Sequence, residues 1–150
     1  MPSRSTEHTW IWLARAYGAA INDIEQTLTD NNLPPLSWYD ILRELERVGD
    51  KGLRQFELEN ALLLKQYSVS RLVERIEKKG LLRREPCETD GRGKRLILTR
   101  EGKELRQRMW QIYGPKIEEV IGMKLSRKQC IELSGLLQAM VNNTGASDAS

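Results

Sequence analysis

One histidine, one phenylalanine and two cysteines are all that 150 residues hold of those three types. The single His8 leaves no material for a multi-histidine metal site or a histidine-based catalytic triad. Cys87 and Cys130 stand 43 positions apart. They are too few and too distant for a disulfide framework or a zinc site, and they suit a reducing cytoplasm. Apolar runs extend only a few residues, as in Ala61-Leu62-Leu63-Leu64, so no membrane span is expected. Met1 to Glu7 lacks a basic stretch leading into an apolar core, so no secretory leader is expected either. Gly91-Arg92-Gly93 is too short to cradle a phosphate, and no carboxylate pair stands out. The chain therefore reads as a non-enzyme without cofactor or metal.

What is present is unevenly placed charge. The whole chain carries +3, but Lys65 to Arg108 holds fourteen Lys and Arg against seven acids, while the remainder is net acidic. A basic middle inside an acidic frame suits a phosphate-rich partner, although a solvated charged face would look similar on charge alone.

Hydrophobic spacing organises the rest. Trp10, Leu13, Ala14, Tyr17, Ile21, Ile24 and Leu28 recur at helical intervals and predict a helix from about Thr6 to Thr29. Pro34 and Pro35 stop it. Ser37 is expected to cap a second helix, with Asp40 three residues on in a capping box, ending near Gly49. Two shorter helices come next, about Leu53 to Leu63 and Gln66 to Lys79, the latter closed by Gly80. Leu82 to Glu85 and Lys94 to Thr99 read as strands around a Gly- and Asp-rich loop, with Leu96 and Leu98 alternating with Arg95 and Ile97. Thr99 can cap the next helix, which Gly114-Pro115 should bend. Ser126 caps the last one.

Helices followed by a hairpin form the winged helix-turn-helix order, in which the helix before the hairpin enters the DNA major groove. The expected fold is mainly α with a small β-hairpin wing, the winged core being flanked by N- and C-terminal dimerisation helices. The expected division is 1–34 for the first dimerisation helix, 35–99 for the winged helix-turn-helix, 100–142 for the C-terminal dimerisation helices and 143–150 for a disordered tail. On the candidate recognition helix, Val69, Leu72, Val73 and Ile76 share one face. Tyr67, Arg71, Glu74 and Lys78 share the other, flanked by Ser68, Ser70 and Arg75. Such a face supplies donors for phosphates and base edges over an apolar back, but an ordinary amphipathic surface helix would also show it. Asp90-Gly91-Arg92-Gly93-Lys94-Arg95 adds three cations at the hairpin tip, where an arginine can enter a minor groove.

Ser70-Arg71-Leu72-Val73-Glu74-Arg75-Ile76-Glu77-Lys78-Lys79-Gly80-Leu81-Leu82-Arg83-Arg84, then Asp90-x-Arg92, then Leu98-Thr99-Arg100-Glu101-Gly102 resemble the MarR family of bacterial transcriptional regulators. The resemblance covers about residues 36–106. It implies a cytoplasmic, nucleoid-associated homodimer, probing a palindromic operator in double-stranded DNA as a regulator, most simply a repressor. It places Gln66, Tyr67, Ser68, Ser70, Arg71 and Arg75 at the major groove, and Arg92, Lys94 and Arg95 at the minor groove and backbone, with Asp90 orienting the wing arginine. Gly91 stands where the family often has a basic residue, and Lys65 where it often has a capping Ser or Thr.

The resemblance also implies relief by a small aromatic or phenolic ligand, for which Trp12, Arg15, Tyr17 and Trp38 are the candidate contacts. Aromatic residues at helical spacing serve equally as core. Two other readings stand beside the regulator: a winged-helix protein-interaction module without specific DNA binding, and a redox-responsive regulator acting through Cys87, whose neighbour Glu88 disfavours a thiolate.

Overall fold

Pro34 and Pro35 separate the first two helices, and the chain beyond them closes into a small core. The computed structural model describes residues 1–65, 68–87 and 93–142. Its elements are α1 (Arg4–Asp30), α2 (Leu36–Val48), α3 (Gln55–Ala61), α4 (Val69–Lys78), β1 (Leu82–Pro86), β2 (Lys94–Leu98), α5 (Arg100–Ile117) and α6 (Arg127–Asn142). The predicted order of elements stands. The expected tail, 143–150, lies outside the described residues.

The chain divides into two compact units, residues 24–113 and the two terminal stretches up to 23 and from 114 on. These boundaries fall inside α1 and α5. The reason is packing. Ile24 and Leu28 of α1, and Leu105 and Met109 of α5, are buried with the winged core.

Within residues 24–113, α2 is the central helix. Leu36, Tyr39, Ile41, Leu42 and Leu45 are buried on it. Its N-terminus is not capped as expected. The Leu36 N–H donates to Glu25 Oε1 of α1 at 3.0 Å, and Asp40 serves elsewhere. After α2 the backbone at Gly52 takes a positive φ of 67°. A Cβ there would sit 2.8 Å from the Leu96 carbonyl oxygen, so only glycine lets the chain cross the sheet this closely. Leu53 then pairs with Leu96 through two backbone bonds of 3.0 and 2.7 Å. Leu53 is thus a bridge residue beside the wing, not the start of α3, as the sequence suggests. The same crossing covers Ile97, which is as deeply buried as Leu96, so the expected alternation breaks at that position.

The wing strands pair antiparallel, with Leu82 opposite Leu98 and Pro86 opposite Lys94. α4 ends as its glycine predicts. Gly80 has φ 74°, and the Leu81 N–H reaches back to the Ile76 carbonyl at 3.1 Å, a Schellman closure. Thr99 links that turn to α5. Its hydroxyl donates to the Gly80 carbonyl at 2.6 Å and accepts the Gly102 N–H at 3.1 Å. Gly102 packs so tightly that a Cβ would collide with the Leu81 carbonyl. The Leu-Thr-x-x-Gly pattern is therefore a lock between the wing and α5.

In the terminal unit, α5 runs through Pro115 to Ile117. A wider turn comes after it, Glu118–Gly122, closed by an i to i+5 bond from the Met123 N–H to Glu118 O at 2.8 Å. Ser126 begins α6 as expected. Its hydroxyl accepts the Gln129 N–H at 3.2 Å, and its own N–H donates to the Gln129 side chain at 2.9 Å. No helix among the described residues is long and apolar enough to cross a membrane.

Candidate nucleic-acid interface

The back of α4 is anchored before its front is presented. Val69, Val73 and Ile76 are buried against the core, while Ser70, Arg71, Glu74, Arg75 and Lys78 are exposed. Arg71 and Arg75 lie one turn apart and enter no ion pair among the described residues. Lys78 reaches Glu74 at 3.9 Å on the open surface, a contact worth little in water. Ser68 precedes the helix, half-buried, and its side chain makes no capping bond. Gln66 and Tyr67 lie outside the described residues.

The segment leading into α4 is fixed from α2. Asp40 is the one buried charged residue among those described. Its Oδ1 accepts the Leu63 N–H at 3.2 Å and its Oδ2 the Leu64 N–H at 2.9 Å. The expected capping role of Asp40 is thereby corrected. The carboxylate turns away from its own helix end to the Leu63 and Leu64 N–H groups across the core, and a charged acceptor makes strong bonds to such donors.

The wing supplies the second surface. Lys94 is exposed at the end of β2. Arg95 is half-buried and committed to the wing base: one nitrogen donates to the Lys51 carbonyl at 3.1 Å and another to Glu85 at 3.4 Å. It holds the hairpin against the turn after α2, a role that its place in the basic run did not suggest. Arg84 pairs with Glu77 at 3.2 Å, tying β1 to α4. Asp90 and Arg92 lie outside the described residues. Cys87 follows β1 at the loop end of the hairpin, where its N–H donates to the Gly93 carbonyl at 3.2 Å, and it is 6% exposed.

Two features escaped sequence reasoning. The first is a groove of about 440 Å³ lined by Arg54, Gln55, Phe56, Arg84, Gly93, Lys94 and Leu96. It sets the exposed Phe56 ring of α3 among Arg54, just before that helix, and a cation from each wing strand. Nothing in the local periodicity joins those three elements. The second is an aromatic cluster of Tyr39, Trp110 and Tyr113. Tyr39 lies 6.1 Å from the Trp110 ring, stacked, and 5.0 Å from Tyr113, edge-on. Burial, and then the neighbouring Tyr39 and Asp40, push the Tyr113 hydroxyl pKa above its ordinary value, with Arg43 opposing. Glu46 and Arg106 form a further ion pair between α2 and α5.

The expected ligand contacts divide between the two units. Trp12, Arg15 and Tyr17 are exposed on α1, with the Arg15 guanidinium 5.4 Å above the Trp12 ring. Trp38 is half-buried on α2. The core alternative for the α1 aromatics does not hold within the chain, since Trp10 is 67% exposed. No group of three or more metal-ligating residues occurs among those described.

The model of the MarR family matches residues 31–93, which span α2 to the wing. Solved structures agree over nearly the whole chain. Sco3205, a MarR family transcriptional regulator from Streptomyces coelicolor solved in complex with DNA, is 24% identical with a TM-score of 0.86, over 95% of this chain and 89% of its own. BpsR from Bordetella bronchiseptica, whose DNA binding is regulated by 6-hydroxynicotinic acid, is 23% identical with a TM-score of 0.77, over 93% and 98%. A cysteine-to-serine mutant of MarR from E. coli, complexed with operator DNA, is 18% identical with a TM-score of 0.75, over 86% and 90%.

Proposed function

We propose that this chain, whose residues 31–93 match the model of the MarR family, is a sequence-specific DNA-binding transcriptional regulator. It acts as a homodimer on a palindromic operator, in the cytoplasm with the nucleoid. The observation that carries this reading is α4 itself, with Val69, Val73 and Ile76 sealed behind an exposed row of Ser70, Arg71 and Arg75. Arg71 and Arg75 read base edges, Ser68 and Ser70 meet the backbone at the groove entrance, and Gln66 and Tyr67 extend that contact. Lys94 and Arg92 follow the backbone and minor groove on the wing, with Asp90 orienting Arg92. Arg95 acts through the wing base. Arg54 and Arg84, beside Phe56, are well placed to meet a neighbouring phosphate.

The dimer has a physical motive in the terminal unit, where α6 leaves Ile131, Leu136 and Met140 exposed. A second copy covers such a stripe by two-fold pairing and sets two recognition helices about one DNA turn apart. Repression, relieved by a small aromatic or phenolic ligand that contacts residues such as Trp12, Arg15, Tyr17 or Trp38, is the simplest mode. The regulation of BpsR by 6-hydroxynicotinic acid supports that class of ligand.

Selection from random duplex DNA, followed by a salt titration of the winning site, tests the proposal. A palindromic consensus with half-sites about one turn apart, bound with a steep salt slope, is the expected result. Uniform weak binding without a consensus would overturn it and leave a scaffold that binds other proteins.

A further inference from the structure

We infer that Asp40 is the positioning residue that sets α4 for reading DNA, an inference that rests on the role of α4 proposed above. Three observations converge on it. Asp40 is 5% exposed and the one buried charge among the described residues. Its two carboxylate oxygens hold the consecutive N–H groups of Leu63 and Leu64 at 3.2 and 2.9 Å, and these residues belong to the segment that leads into α4. Ser68, the residue before that helix, makes no side-chain capping bond. The buried back of α4 holds the body of the helix, and the Asp40 carboxylate references the segment before it to α2.

The α2 side of the contact is rigid. Tyr39, Ile41 and Leu42 flank Asp40 and are all buried. Tyr39 packs on Trp110 and Tyr113 of α5, and Glu46 pairs with Arg106 one turn and a half further on. A carboxylate held this firmly transmits the position of α2 to Leu63 and Leu64. A neutral amide cannot do the same, since it offers one acceptor oxygen and turns an N–H₂ toward the second backbone donor.

The test uses the full chain with Asp40→Asn, Asp40→Glu and, as a packing control on the same helix, Ile41→Val. Each is confirmed folded by circular dichroism and assayed well below its unfolding temperature. Asp40→Asn should weaken binding to the selected operator by about tenfold or more while random duplex changes less than about twofold, with the same salt slope. Asp40→Glu, which keeps the charge but displaces the loop by a methylene, should shift the ratio in the same direction. Ile41→Val should leave the ratio unchanged, as a purely structural role would for all three. A folded Asp40→Asn or Asp40→Glu with the wild-type ratio overturns the inference.

Amide exchange separates this outcome from failure of the regulator reading. If the wild type selects no operator, that reading fails, and Asp40 is judged by exchange alone. Faster exchange that spreads from Leu63 and Leu64 to Leu72 and Val73 of α4 in Asp40→Asn supports it. Faster exchange confined to Leu63 and Leu64 overturns it.

Discussion

Leu42 and Leu136 are both leucines within apolar stripes at helical spacing, yet Leu42 is fully hidden and Leu136 is 67% exposed. The contrast extends to the two compact units. Every buried residue among those described lies between Ile24 and Met109, inside the unit of residues 24–113. The terminal stretches also carry helices with apolar residues, and among the described residues none of these is more than partly buried. Periodicity shows that a helix has an apolar face. It says nothing about what covers the face, and here only one of the two units supplies its own cover.

The sharpest way to break the comparison is to charge the open face. Leu136→Glu should raise the dimer dissociation constant by about 100-fold or more, because each copy would carry an unpaired carboxylate into the contact. Sedimentation velocity over a concentration series reads this directly. A wild type that stays monomeric at micromolar concentration would show that the α6 stripe needs no second copy. Next in size is an insult to the sealed unit. Gly102→Ala places a methyl against the Leu81 carbonyl and 2.6 Å from Leu98 Cδ1. Backbone cannot yield as a side-chain tip can, so stability should fall by roughly 2 kcal/mol in chemical denaturation. An unchanged midpoint would mean that the wing and α5 are not locked together at this glycine.

What was legible in the sequence followed the distance between partners, in both units. Local signals held where the partner is near in sequence. Gly80 closes α4, Thr99 caps α5, and Ser126 with Gln129 forms a reciprocal cap. They failed where a distant residue competes. Ser37 and Asp40 have capping-box spacing, but Leu63 and Leu64 lie 23 and 24 residues on and take the carboxylate. Leu53 has the spacing of a helix start and is claimed by Leu96. Of the candidate interface, the exposed row of α4 followed from its periodicity. The commitment of Arg95 to Lys51 and Glu85, the groove around Phe56 and the cluster of Tyr39, Trp110 and Tyr113 did not, since each joins elements far apart in the chain.

Within the proposed interface, Arg71→Ala should weaken operator binding by about tenfold, as expected for loss of one base-reading arginine, and relax preference at a single base position. Lys94→Ala should act less, by a few-fold, on operator and random duplex alike, and lower the salt slope by about one. Fluorescence anisotropy against both duplexes distinguishes the two. Equal losses for the two variants on both duplexes would show that α4 provides charge without reading.

The smallest effect probes the edge of the sealed unit. Tyr113 is its last residue, and burial raises its hydroxyl pKa above the ordinary 10.0. A raised folded-state pKa means that the unfolded chain gives up this proton first. Its stabilising contribution is therefore complete below pH 10.0 and is lost as pH climbs from there through the folded-state pKa. Tyr113→Phe removes the ionisable oxygen and keeps the ring beside Tyr39 and Trp110. Between about pH 9 and 11, the unfolding temperature of the wild type should fall more steeply than that of the variant. Parallel curves would mean that the hydroxyl is as well solvated in the folded chain as in the unfolded one, and that the sealed unit ends before Tyr113.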